Sequence, residues 1–337
     1  MTDFSPIIAA AIAFITTAAL GFYALPVLKR LKFGQTIREE GPQWHNSKQG
    51  TPTMGGIIMI AGVLLAFSIT YAISAFAKTN FANERVSHRF AVTLAGLFLA
   101  VAMGVIGFMD DYIKVVKKRN LGLTARQKTI LQLFVTVLYL VALYCIGVRT
   151  TWLPFVGTIN VSGGAGIIFW IIALFFVYGF VNAVNLTDGI DGLASSVTLV
   201  AACILMLVSG IAKLYSANTL AAAFAGACVG FLVWNIHPAK MFMGDTGSLF
   251  LGGAVVGISF ATGKPVLLLL IGAIYLIEAL SVMIQVTYFK KTKKRIFKMT
   301  PIHHHFEMCG WKEEKIVYVF SGVTLLLGAL AILLATI

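Results

Sequence analysis

The chain has 337 residues, of which 59% are hydrophobic and 12% charged. Soluble domains carry roughly 25% charged residues, so this composition excludes a water-soluble enzyme, a disordered chain and a secreted disulfide scaffold. The net charge of +13, from 26 Lys and Arg against 13 Asp and Glu, fits either nucleic-acid binding or basic cytoplasmic loops until the charges are placed.

A helix that crosses a bilayer needs ~20 apolar residues. Runs of that kind fall, in chain order, near 5–28, 54–77, 90–109, 128–148, 165–184, 192–212, 217–234, 246–262, 265–288 and 315–336. They predict an all-α polytopic membrane protein of ten transmembrane helices, forming a single domain over 1–337. The first run begins at Pro6 with almost no basic residue before it, so it reads as a retained span rather than a signal peptide. The segment 149–164, with Thr, Val and Ile around turn residues, predicts a small hairpin. Gly226-x-x-x-Gly230 and Gly253-x-x-x-Gly257 predict close helix packing within the chain. Cys145, Cys203 and Cys228 lie in apolar runs and Cys309 in a basic loop. They form no CxxC pair and read as small buried hydrophobes.

The loops alternate in charge. Segments 29–53, 113–128, 185–191, 235–245 and 289–315 carry 20 Lys and Arg, whereas the opposite loops carry 6. The positive-inside rule puts the first group in the cytoplasm and both termini outside, periplasmic or extracellular. The acids follow: Glu39, Glu40, Asp110, Asp111, Asp188, Asp191, Asp245, Glu307, Glu313 and Glu314 are cytoplasmic, and Glu278 alone falls inside a span. The basic charge is thus a sidedness signal, and no nucleic-acid partner is expected.

Five aspartates mark the cytoplasmic edge of apolar runs. Asp110 and Asp111 close the third run, Asp188 and Asp191 follow the fifth, and Asp245 precedes the eighth. Carboxylates at a membrane edge lose solvation and need a partner. Adjacent like charges repel, and hard oxygen donors suit Mg²⁺ together with substrate phosphates. Gly244-Asp-Thr-Gly-Ser opens a helix, where backbone amides attract anions. Gly50-Thr-Pro-Thr-Met-Gly-Gly repeats the arrangement beside Lys48, as a phosphate site or an ordinary capped helix start. Three consecutive histidines, His303 to His305, cannot all face one metal from a helix. They read as donors near phosphate or as a structural cluster. Lys290 to Arg295 read as a positive-inside anchor or an attractor of anionic headgroups. Glu278 is a functional candidate by its depth, as a pocket group or a partner within the bundle. A cytoplasmic face holding Mg²⁺-competent acids, phosphate-binding loops and histidines beside lipid describes a phosphoryl-group transferase. A transporter would instead place charges mid-membrane on several helices or show repeats.

The strings F-G-Q-x-I-R-E-E-G-P (33–42), G-T-P-T-M-G-G (50–56), F-M-D-D-Y (108–112), N-A-V-N-L-T-D-G-I-D-G-L-A (182–194), N-x-H-P-A-K-x-F-M-G-D-T-G-S-L (235–249) and T-P-I-H-H-H-F-E (300–307) together resemble the bacterial phospho-N-acetylmuramoyl-pentapeptide transferases. These belong to the polyprenyl-phosphate N-acetylhexosamine 1-phosphate transferase superfamily. The resemblance spans essentially the whole chain. The Asp strings are shared across the superfamily, where a sister enzyme uses UDP-GlcNAc; the first Gly-Thr string and the His string are more specific. Lys114 stands where a DDxxD prenyl-diphosphate site would have an acid.

The resemblance implies transfer of phospho-MurNAc-pentapeptide from UDP-MurNAc-pentapeptide to undecaprenyl phosphate, giving lipid I and UMP with Mg²⁺. It implies a multi-pass protein of the bacterial cytoplasmic (inner) membrane, a homodimer, and inhibition by uridine-type nucleoside antibiotics. By motif match, Asp245 is the metal ligand, Asp110 the base on the lipid phosphate and Asp111 a support for both, with His304 also catalytic. Lys48, Thr53, Asn185, Asp188, Asp191, Asn235, Phe242, Gln285, His303 and His305 match substrate-binding positions, with Phe242 placed to stack on uracil.

Overall fold

The computed structural model describes residues 3–30, 48, 50–84, 87–117 and 121–336. The 33–42 string, with Glu39 and Glu40, lies outside the described residues. Among the described residues, ten helices have the length and hydropathy to cross a membrane. In chain order the elements are α1 (Ser5–Arg30), α2 (Gly56–Ala77), α3 (Asn80–Asn83), α4 (His88–Val116), α5 (Ala125–Ile146), β1 (Thr150–Leu153), β2 (Gly157–Asn160), α6 (Gly163–Thr187), α7 (Leu193–Ile211), α8 (Tyr215–Asn235), α9 (Gly244–Ala261), α10 (Leu268–Ile271), α11 (Ala273–Thr292), α12 (Ile302–Glu307) and α13 (Glu313–Thr336). The hairpin forms as expected: β1 and β2 pair antiparallel with Thr151 opposite Ile159 and Trp152 opposite Thr158.

Two spans differ from the hydropathy reading. The third runs on past the end of its apolar run to Val116, so that Lys114 shares the helix with Asp110 and Asp111. Hydropathy drops at charged residues, but backbone hydrogen bonding continues where those charges find partners. The ninth apolar run, 265–288, is divided. A 3₁₀ turn at Pro265–Leu267 and the short α10 precede Gly272, and the spanning helix is Ala273–Thr292. Pro supplies no N–H and Gly weakens the helix interior.

The core is organised around α9, whose residues from Thr246 to Phe260 are all buried. Lipid offers no hydrophobic drive between helices, so small residues and close backbone contact hold the bundle. Gly96 of α4 and Gly257 of α9 face one another so closely that a methyl on Gly96 would lie 2.8 Å from the Gly257 carbonyl carbon and oxygen. Gly253 meets Ala100 in the same seam. Gly226 and Gly230 of α8 take the backbone of α1 at Ala10 and Phe14, so this motif serves packing within the chain. Trp234 adds an indole N–H bond to the Ala18 carbonyl at 3.1 Å. Of the four cysteines expected to be buried, only Cys228 is fully so; Cys203 is partly buried, and Cys145 and Cys309 are exposed.

The start of α1 lies at the end of the bundle where Ser74 of α2 sits, through a 2.7 Å Ser5–Ser74 hydroxyl contact. The beginning of α2 is at the other end, beside the beginning of α9: the Gly55 and Gly56 amides donate to the Phe242 and Met243 carbonyls at 2.9 Å. That second end also collects the end of α4, the starts of α5, α7 and α13, and the ends of α6 and α8.

Candidate active site

At that end, α4 delivers Asp110 and Asp111 and α9 delivers Asp245. One ligand oxygen from each lies within 4.8 Å of the others. Both α4 aspartates are buried. Gly107 allows the approach, because it faces the Asp245 carbonyl with no room for a side chain. Asp111 caps α9 from outside that helix. It accepts the Thr246 N–H at 2.9 Å, the Thr246 hydroxyl at 2.8 Å and the Asp245 N–H at 3.3 Å. An N-cap is worth ~0.5–2 kcal/mol and a carboxylate there also meets the helix dipole. Asp111→Ala is therefore expected to destabilise the protein by about 1–2 kcal/mol. Asp111→Asn, which keeps an acceptor, should lose less. Thermal unfolding in detergent reads the difference, and equal melting temperatures for wild type and Asp111→Ala would refute the cap.

Two lysines neutralise the acids. Lys114, four residues after Asp110 on the same face of α4, stands 2.5 Å from Asp110, 3.0 Å from Asp245 and 3.6 Å from Asp111. Lys128 of α5 reaches Asp245 at 2.8 Å. The Asn185 amide donates to Asp245 Oδ1 at 2.9 Å and to the Ser248 hydroxyl at 2.7 Å. The Leu123 N–H donates to Asp110 Oδ1 at 2.8 Å. Thr53 flanks Gly244 together with Asp111, which brings the 50–56 loop to the carboxylates. Phe242 is half-buried on the adjoining loop, its backbone paired with Pro52 and Gly55. Asp188, between α6 and α7, is pushed up to about 8 by burial and then by the Asp245, Asp111 and Asp191 carboxylates.

A second cluster contains Asp191, His237, Glu313 and Lys48. Lys48 pairs with Asp191 at 2.8 Å and Glu313 at 2.6 Å. His237 Nδ1 lies 2.9 Å from Asp191 Oδ2, which also accepts the Ala239 N–H at 3.0 Å. Asn235 is buried beneath: its Oδ1 accepts the Gly192 N–H at 3.1 Å and its amide donates to the Met241 carbonyl at 3.0 Å.

The histidines diverge. His303 is wholly buried, with Nδ1 3.0 Å from Glu278 Oε1 and Nε2 against Gly189. The His303 backbone N–H also donates to Glu278 Oε2 at 3.4 Å. Glu278 thus has its partner within the bundle. His304 Nδ1 pairs with Glu307 at 2.6 Å. His305 Nδ1 accepts the Lys298 N–H at 3.1 Å. Gln285 accepts from the Ile296 and Phe297 amides at 3.0 and 3.1 Å and donates to the Phe297 carbonyl at 3.2 Å. Its amide holds the 293–301 loop.

The structure therefore brings Asp110, Asp111, Asp245, Asn185 and Thr53 together, joins Lys48 to Asp191, and turns His303 and Gln285 to neighbouring protein groups. Lys128, His237 and Glu313 were not singled out in the sequence. Lys114 had a legible signal in its i,i+4 spacing from Asp110; the others meet their partners only through the tertiary fold.

Among the described residues, ten helices long and apolar enough to cross a membrane surround a carboxylate nest with lysines and Gly-rich loops, the arrangement of a polytopic membrane protein with a charged site at one end. The profile of Glycosyl transferase family 4 matches residues 93–263, the stretch from α4 through α9. The chain is 48% identical over 330 residues to the phospho-N-acetylmuramoyl-pentapeptide-transferase of Clostridioides difficile (strain 630), covering 96% of each chain. It is 42% identical to the protein of that name from Caldicellulosiruptor bescii, with 98% of each covered, and 46% to that of Bacillus pumilus, with 95% and 94% covered. The chain belongs to the phospho-N-acetylmuramoyl-pentapeptide transferase family and is an enzyme of the glycosyl-1-phosphate transferase type.

Proposed function

We propose that this enzyme transfers phospho-MurNAc-pentapeptide from UDP-MurNAc-pentapeptide to undecaprenyl phosphate, giving lipid I and UMP, the first membrane step of peptidoglycan synthesis. The observation that carries the reading is the convergence of Asp110, Asp111 and Asp245 at the α4–α9 seam, in a chain of this family. The 20-to-6 division of Lys and Arg between loops supports a site on the cytoplasmic face of the bacterial inner membrane, with both termini outside. A homodimer and sensitivity to uridine-type antibiotics belong to the same reading.

In this reaction an oxygen of the lipid phosphate attacks the β-phosphorus of the donor. The bond from that phosphorus to the bridging oxygen breaks, and UMP leaves with the electron pair. A phosphate monoester is already an anionic nucleophile, so direct attack needs no covalent enzyme intermediate. Asp110 takes the proton of a protonated lipid phosphate, and Asp111 holds the start of α9 so that Asp245 is presented correctly. Lys114 and Lys128 face the charge that builds on the transferred phosphoryl group. Lys48, Thr53, Asn185, Asp188, Asp191, Asn235 and Phe242 form the donor pocket, with Phe242 stacking on uracil; His304 borders the phosphates, and Gln285, His303 and His305 shape the adjoining wall. The hard oxygen set fits Mg²⁺, with Asp245 as ligand beside Asp110. When bound, Mg²⁺ would supply charge neutralisation at the donor diphosphate.

Purified protein with Mg²⁺ and undecaprenyl phosphate is expected to release UMP from UDP-MurNAc-pentapeptide and far less from UDP-GlcNAc. UMP from UDP-GlcNAc alone would move the enzyme to the sister specificity.

A further inference from the structure

Glu313 opens the last spanning helix and is, in sequence, only one of ten cytoplasmic acids. In the fold its carboxylate takes up two elements of the proposed donor pocket. Oε1 stands 2.6 Å and Oε2 2.7 Å from the Lys48 ammonium. Oε2 also accepts the Asp191 N–H at 2.9 Å. Lys48 in turn donates to Asp191 Oδ1 at 2.8 Å, while His237 and Ala239 hold Asp191 Oδ2. The Glu313 and Lys48 side chains are 9% and 15% exposed, so water screens the pair little. A lysine ammonium on its four-carbon stem loses much rotamer freedom when it is fixed. A carboxylate that fixes it beforehand removes that cost from ligand binding.

We infer that Glu313 is a positioning residue of the donor pocket: from α13 it sets the Lys48 ammonium and the Asp191 backbone in the arrangement that receives the nucleotide end of the donor, without touching the donor. The inference rests on the transferase reading, in which Lys48 and Asp191 line that pocket. It also gives the C-terminal helix a part in substrate affinity.

Glu313→Gln separates this role from simple support of the fold, because glutamine keeps the shape and an acceptor for the Asp191 N–H but removes the charge that holds Lys48. The variant is expected to raise KM for UDP-MurNAc-pentapeptide about tenfold, the scale of one hydrogen bond to a charged group. KM for undecaprenyl phosphate should not change, and Glu313→Asp should restore part of the loss. Adding Lys48→Met to Glu313→Gln should raise KM by less than the product of the single effects. An unchanged donor KM, or equal rises in both KM values, would overturn the inference while leaving the transferase reading intact. UMP binding, read as its shift of the melting temperature, tests the pocket without turnover. If the wild type makes no lipid product but UMP still protects it more than Glu313→Gln, positioning stands and the donor assignment falls. If UMP protects neither protein, both fall.

Discussion

Asp245→Asn is expected to lower turnover by about a thousandfold or more, in the range of losses when a group stabilising transition-state charge is removed. The substitution is nearly isosteric. An asparagine at 245 keeps an acceptor for the Asn185 amide, now at 2.9 Å, and leaves the Asp111 cap on the α9 backbone in place. What it removes is the negative charge that faces Lys114 at 3.0 Å and Lys128 at 2.8 Å and that would ligate the divalent cation. The fold should survive, with a melting temperature close to wild type. The Mg²⁺ concentration for half-maximal residual activity should rise, and Mn²⁺ binding to the purified protein should weaken. Wild-type turnover with an unchanged Mg²⁺ requirement would refute the metal role of Asp245.

The second large effect is expected at a residue with no chemistry of its own. A methyl at Gly107 would fall on the Asp245 carbonyl, so Gly107→Ala must move α4 away from α9. Overpacking of this kind costs about 1–3 kcal/mol, and here the relief lies along the seam that brings three carboxylates together. A misplacement of ~1 Å at a reacting centre costs about a hundredfold in rate, so activity should fall further than stability. Gly322→Ala in α13 is the control, because a methyl there meets open space. Its stability should match or slightly exceed wild type, as alanine favours helix over glycine by ~1 kcal/mol. Kinetics and thermal unfolding of the two variants decide the matter: a Gly107→Ala protein with wild-type turnover would show that the α4–α9 seam does not set the site.

The spans were legible because hydropathy reports burial in lipid directly, and the hairpin because turn residues punctuate a β-branched stretch. The end of α4 was not, since Asp110, Asp111 and Lys114 interrupt the apolar run yet satisfy one another across the helix and the α9 seam. The break before Gly272 was hidden by the uniform hydrophobicity of its flanks, although Pro265 and Gly272 mark it. In the candidate site, the aspartates stood out as acids at membrane edges, where desolvation makes them conspicuous. Their partners did not. Lys128 meets Asp245 across 117 residues of chain and Glu313 meets Asp191 across 122, and neither distance leaves a periodic trace. Gln285 and His303 show the converse. Family likeness marks them as substrate-binding, while their side chains engage the 293–301 loop and Glu278, so any effect on substrate is proposed to pass through what they hold.

In the proposed reaction a phosphoryl-linked sugar, and not the sugar alone, moves to the lipid. The direct measurement follows the donor's β-phosphate, labelled with ³²P, in a reaction of wild-type enzyme, Mg²⁺ and undecaprenyl phosphate. Label is expected in the lipid-extractable product, with one UMP released for each lipid formed. Label leaving as UDP, or as free phosphate, with no labelled lipid would contradict that reaction.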